Sequence, residues 1–217
     1  MARNAKPQEH VMVVHRDDIF RDGEWHGINP AFLRLLEIVR RHHKFLPRHG
    51  THGVEQDSRW QQIIPFGVLA SQGRIFCYIK SDKSGESRLH HERMIGIGGH
   101  LRERDTIDHG SLLGWFEREW CEEVRYEGLP FAWPIGVIHD TSRPVSAVHL
   151  GFAFLLYGDK LSISVKADEE LTEAKWLTLD ELFAVHREDK AKGFAGIDNW
   201  SMAILEYLKN NRELLAL

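Results

Sequence analysis

Glu119, Glu122 and Glu123 stand at i, i+3 and i+4 in the run Arg118-Glu119-Trp120-Cys121-Glu122-Glu123. On a helix these three carboxylates share one face. Like charges at that spacing cost an isolated helix about 0.2–0.5 kcal/mol per pair. The run also lies towards a helix C-terminus, where the macrodipole disfavours anions. A cation between the carboxylates would offset both penalties, and hard oxygen ligands suit Mg²⁺ or Mn²⁺ better than zinc. For such a spacing alone, the plain reading is a solvated face with Arg118 and Arg125 as counter-charges. Leu113, Phe116, Trp120 and Val124, however, recur at helical spacing as an apolar stripe. That stripe lies about 100° around the helix from the acids, which places them at the rim of a core.

Upstream stands Gly98-Gly99-His100-Leu101, a turn that only small residues make readily. With the acidic run, it resembles the Nudix box, G-x5-E-x7-R-E-U-x-E-E-x-G-U with U apolar. Gly99 matches the opening glycine, and Arg118-Glu119-Trp120-x-Glu122-Glu123 matches R-E-U-x-E-E in full. Three positions depart from the pattern. Asp105 stands where the middle Glu belongs, the spacer before Arg118 is lengthened around residues 106–110, and Arg125 replaces the late glycine. The resemblance implies a hydrolase that cleaves a diphosphate linkage with Mg²⁺ or Mn²⁺. It also implies roles: Glu119, Glu122, Glu123 and the Gly98 carbonyl as metal ligands, Glu119 also as the group orienting the attacking water, and Arg118 as the partner that fixes a carboxylate. Chemistry argues the same way, since attack on an anionic diphosphate needs metal neutralisation and a positioned water.

Other residues are candidates for substrate contact. Lys83, Arg88 and Arg93, with Lys80, form a basic run before the turn, readable as a solvated loop or as a collar for a phosphate. His100 follows the two glycines and is placed to touch a phosphate or to pack the loop. Among the 14 histidines, no pair has zinc-site spacing with a Cys or another His on one helix face. Asp168-Glu169-Glu170 reads as a solvated turn. Phe131, Trp133, Phe152 and Phe154 alternate as core strand aromatics do. Cys121 and His149 lack the context of a nucleophile pair.

Composition sets the frame. The 217 residues are 42% hydrophobic and 28% charged, which fits one elaborated globular domain. A formal net charge of −4 provides no basic excess for nucleic acid or an anionic membrane. Two cysteines, Cys77 and Cys121, indicate a reducing compartment, and the polar N-terminus lacks a signal-like apolar stretch. The expected location is the cytoplasm, and the expected ligand a small phosphorylated molecule.

These residues need a scaffold. Residues 11–14 read as a strand, and Asn29-Pro30 as the start of a helix running to about His43. The runs 63–70 and 74–80, joined by Ser71-Gln72-Gly73, read as a hairpin. Met94-Ile95-Gly96-Ile97 leads into the glycine turn. The box helix is expected to continue until Gly128 and Pro130. Residues 135–139, 145–157 and 161–165 read as further strands, the last pairing with the two before it. Residues 173–177 form a strand entering a helix with a capping box, Thr178 and Glu181. Asp198 caps a last helix with Trp200, Ile204, Leu205 and Leu208 on its apolar side. The fold class is α/β (α+β): a Nudix-like α/β/α sandwich with a mixed sheet. It is expected over 60–217, with a strand-helix extension at 1–59 packed on it as a lid, a homodimer arm or cover for the sheet edge. Two rival functions share this fold: a ligand-binding or regulatory module without turnover, and an isoprenyl-diphosphate isomerase. The intact acidic run speaks against the first, and the lack of an acid-site context at either cysteine against the second.

Overall fold

An unbroken apolar run such as 63–70 calls for a strand covered on both faces. In the computed structural model, this run lies within β4 (Trp60–Ser71), which is buried from Gln61 onward. The structure describes residues 9–80, 92–103, 124–126, 131–159, 161, 163–165 and 171–216, with the backbone alone at 163–165 and 171. β4 is the spine of a ten-stranded mixed sheet. Along one side it pairs in parallel with β10 (His149–Tyr157), from Gln62 to Ala70. Along the other side three strands follow one another. β1 (His10–His15) covers Trp60 to Gln62, β7 (Gly96–Gly98) covers Phe66 to Val68, and β5 (Arg74–Lys80) pairs with the end. The β4–β5 turn places Gln72 and Gly73 at φ 51° and 72°, the left-handed pair that a two-residue hairpin needs.

The sheet extends outward in both directions. β12 (Leu171–Leu177) and β6 (Arg93–Met94) pair with β5. β9 (Phe131–His139) pairs with β10, and β2 (Gly27–Asn29) pairs with β9. β3 (Lys44–Pro47) pairs with β1. Three strands of the N-terminal extension are thus members of the same sheet.

Period-two alternation in β10 shows how the layers are filled. Phe152 and Phe154 meet the edge of Phe32, with centroids 5.3 and 5.1 Å away. Phe32 opens α2 (Phe32–His42) on that face. On the opposite face a Cβ at Gly151 would lie 2.7 Å from Trp200, so the indole rests on bare backbone. Trp200 belongs to α5 (Asn199–Lys209). Helix, sheet and helix make the α/β/α sandwich. Thr178 caps α4 (Leu179–Ala191) with a complete capping box, the Thr178 hydroxyl accepting from Glu181 N at 3.3 Å and the Glu181 carboxylate from Thr178 N at 2.7 Å.

Several expectations are corrected. Helix α2 begins at Phe32 instead of Pro30, because the Asn29 side chain accepts from Ala31 N in a local turn. Residues 145–148 are not strand. Pro144 opens a single helical turn, α3 (Pro144–Ala147), as its fixed φ favours, so β10 starts only at His149. The helix expected from the acidic run to Gly128 is not what residues 124–126 form: Val124–Tyr126 is a strand, β8, with Val124 buried and Arg125 exposed. Its partner is β11 (Ile163–Val165), which therefore pairs away from β9 and β10. Phe131 and Trp133 are largely exposed, with Phe131 stacked on Tyr157, while Phe152 and Phe154 are core. The short α1 (Arg16–Ile19) completes the described helices, and no helix among the described residues is long and apolar enough to cross a membrane.

Candidate functional site

Glycine is required where β7 approaches β4. A Cβ at Gly96 would lie 2.1 Å from the Phe66 ring, and one at Gly98 would lie 2.8 Å from that ring and 2.9 Å from the Pro65 carbonyl. The chain then leaves the sheet at Gly99 and His100. It is caught by the N-terminal extension: Met12 N donates to the Leu101 carbonyl at 2.8 Å, and Arg102 bridges to Val11.

This turn walls a cleft of about 360 Å³ on the α5 face of the sheet. Ile64, Phe66, Met94 and Trp200 supply an apolar floor. Cations line it from separate segments. Arg48 pairs with Glu55 at 3.1 Å and Glu9 at 3.4 Å, and Arg102 pairs with Glu9 at 3.0 Å. Arg143 holds both oxygens of the buried Glu92, at 2.7 and 2.8 Å. Lys80 at the end of β5 also reaches the cleft. An apolar floor under a basic rim suits a ligand with a flat or hydrophobic body and an anionic group.

Asp198 and His149 are buried in the cleft, and His100 is half-buried there. Asp198 caps α5, its Oδ1 accepting from Trp200 N at 3.0 Å and Ser201 N at 3.2 Å. Its Oδ2 is buried without a hydrogen-bond partner among the described residues. Burial, aided by the charge of Glu92, pushes its carboxyl up to about 6 against the opposing hydrogen bonds. His100 and His149 face each other with 3.0 Å between their Nε2 atoms. Burial first, then the neighbouring His149, lowers the His100 pKa well below the ordinary value, so its imidazole is neutral at pH 7.

The sequence candidates are distributed unevenly. Gly98 and His100 line the cleft. Arg93 does not; it is buried, and its Nε donates to Asp189 at 3.2 Å on α4. Arg118, Glu119, Glu122 and Glu123 lie outside the described residues, as do Lys83, Arg88, Cys121 and Asp168-Glu169-Glu170. Sequence reasoning took Asp198 only as a cap, and passed over Glu55, Arg48 and Arg143. For Asp198, the signal was a cap two residues after Gly196, which closes a glycine-bounded break; the others carry no local signal.

No family model matches the chain. The protein YmaB of Bacillus subtilis (strain 168) is 26% identical over 211 residues, spanning 94% of this chain and 99% of YmaB. The crystal structure of Tm1382, a candidate Nudix hydrolase, superposes with a TM-score of 0.73 at 27% identity, covering 93% of this chain and 99% of that one. The Nudix domain of Shewanella oneidensis NrtR, solved with ADP ribose, shares the fold at a TM-score of 0.51 and 12% identity, over 70% of this chain and 88% of that one. With the acidic run and glycine turn in sequence, the sandwich in structure and the glycine turn at the cleft wall, the chain is similar in sequence and fold to the Nudix hydrolase superfamily.

Proposed function

We propose that this protein is a metal-dependent hydrolase that cleaves the diphosphate linkage of a nucleoside diphosphate derivative or a similar phosphorylated metabolite. The observation that carries the reading is the cleft itself, in which the Gly98-Gly99-His100 turn meets a basic rim and an apolar floor. The NrtR Nudix domain holds ADP ribose, a ligand with both an anionic diphosphate and a flat base. In this chain Arg48, Arg102 and Arg143 would orient the phosphates, and Phe66 and Trp200 would carry the less polar end.

Mg²⁺ or Mn²⁺ would be held by Glu119, Glu122, Glu123 and the Gly98 carbonyl. Gly98 fits its part: it lines the cleft, and with no room for a Cβ it presents backbone alone. A donor set of carboxylates and a carbonyl is the hard oxygen set these ions take. When bound, the ion supplies charge neutralisation on the diphosphate and a more acidic water. Glu119 would orient that water, and Arg118 would hold a neighbouring carboxylate in place by a bidentate pair.

The test is product release from a pooled panel of nucleoside triphosphates, nucleotide sugars, ADP-ribose, dinucleoside polyphosphates and coenzyme A, with Mg²⁺, Mn²⁺ or chelator. Metal-dependent cleavage that Glu123→Gln lacks, with its unfolding transition intact, is the expected result. Ligand binding without cleavage across the panel would overturn the hydrolase in favour of a binding module. Conversion at constant mass would point to an isomerase.

A further inference from the structure

A second set of donors, whose chemistry differs from that of the acidic run, stands at the cleft, with His100 and His149 in its lining and Glu55 beside them. One ring nitrogen each of His100 and His149 and a Glu55 carboxylate oxygen all lie within 4.8 Å of one another. They come from three parts of the chain: the glycine turn, the start of β10, and the short helical turn Val54–Gln56 of the N-terminal extension. We propose that Glu55, His100 and His149 form a site for a first-row transition-metal ion, of the class of Zn²⁺ or Fe²⁺, in addition to the hard-cation ligands of the acidic run.

The geometry supports ligation. Around an ion with metal–nitrogen bonds of about 2.0–2.1 Å, neighbouring nitrogens lie roughly 2.9–3.4 Å apart. The two Nε2 atoms are 3.0 Å apart. The His149 Nδ1 faces the Val145 carbonyl at 2.5 Å. A carbonyl only accepts, so Nδ1 carries the proton and Nε2 keeps its lone pair. Metal-ligating histidines are held in this way by a backbone carbonyl on the far ring nitrogen. In the metal-free protein His100 then donates its Nε2 proton to His149. Binding requires His100 to take the other neutral tautomer, its proton moving from Nε2 to Nδ1, with no net proton released.

The carboxylate is oriented as well. Glu55 Oε2 accepts from Arg48 Nε at 3.1 Å and from Gln62 Nε2 at 3.4 Å. Arg48 and Arg102 are in turn offset by Glu9, so Glu9, Glu55, Arg48 and Arg102 sum to no net charge. A divalent ion would therefore leave the cluster positive beside the cleft, where His100 and His149 both stand. Two imidazoles and one carboxylate leave coordination positions open, which a water or a phosphoryl oxygen in the cleft would fill. The ion would also tie the N-terminal extension to the glycine turn.

The experiment is Zn²⁺ titration of the full chain by calorimetry, after chelator dialysis and in a large excess of Mg²⁺ that occupies hard-oxygen sites. Co²⁺ serves in parallel as a coloured substitute. The expected result is one Zn²⁺ per chain, weakened at least about tenfold in Glu55→Gln and in His100→Gln. The visible d–d bands of the Co²⁺ form should be lost in the same variants. His149→Gln tests the third ligand; because His149 is buried, Glu55→Gln and His100→Gln, each checked for a cooperative unfolding transition, carry the decision. No Zn²⁺ binding by the wild type, or binding unchanged in both folded variants, would overturn the proposal.

Discussion

Replacing Asp198 by Asn should make the protein's stability respond differently to pH, and the size of the effect follows from the burial. The folded-state carboxyl stands at about 6 against 3.8 for an ordinary aspartate. At 1.36 kcal/mol per pKa unit, this corresponds to roughly 3 kcal/mol of preference for the protonated form in the folded state. Between these values the folded protein binds more protons than the unfolded chain. Its stability contribution is therefore fully present below pH 3.8 and falls as pH rises through about 6. Asn keeps an oxygen for the Trp200 and Ser201 amides and brings no charge into the site. The stability difference, Asp198→Asn minus wild type, should therefore rise by about 2–3 kcal/mol from pH 4 to pH 8, other carboxylates cancelling between the two proteins. Urea unfolding at a series of pH values measures it, in metal-free buffer so that ligand binding does not contribute. Parallel stability curves would refute the reasoning and mean that Asp198 ionises in the folded state much as it does in the unfolded chain.

Arg143→Ala strips the bidentate partner from buried Glu92 and should cost about 2–4 kcal/mol in urea unfolding at neutral pH, less than a fully buried pair because Arg143 is partly exposed. Gly96→Ala forces a methyl into the Phe66 ring and should destabilise by about 1–3 kcal/mol, with a perturbed Trp200 environment visible in near-ultraviolet circular dichroism. Thr178→Ala removes one half of the capping box and should lower the unfolding free energy by about 0.5–2 kcal/mol, with Thr178→Ser restoring most of it. Burial pushes the Cys77 thiol up to about 12, so peptide-level mass spectrometry should find Cys77 unmodified by iodoacetamide in the native protein and modified after denaturation.

Elements set by neighbouring residues were legible in the sequence. The β4–β5 hairpin is announced by a glycine turn between two β-prone runs, and α4 by a capping box whose two halves are three residues apart. Ambiguity arose where one pattern satisfied two periods. Val124 fits a helical stripe counted backwards and a strand alternation counted forwards; its pairing with β11 decides for the strand. Val145 continues an apolar run, yet Pro144 sets the backbone for a helical turn first. Aromatic alternation at Phe131 and Trp133 could not reveal that this end of β9 leaves the cover of the core.

The cleft was harder to read, because its chemistry is assembled across the chain. His100 and His149 are 49 positions apart, and the Glu92–Arg143 pair spans 51. The spacing rules for metal sites concern ligands on one helix or in one loop, so they are silent on donors that meet only through strand pairing. What brings them together is the order along β4: β1 fixes the turn after β7 through Met12 and Leu101, while β10, parallel to β4, starts where β1 pairs. Gln62 stands opposite both Val13 and His149, so the N-terminal extension and the histidine meet at one residue of the central strand. The extension therefore does more than cover a sheet edge. It supplies β1 to the sheet and Glu9 and Arg48 to the rim, with Glu55 paired to Arg48 behind it, which ties the cleft's charge to a segment outside the acidic run and glycine turn.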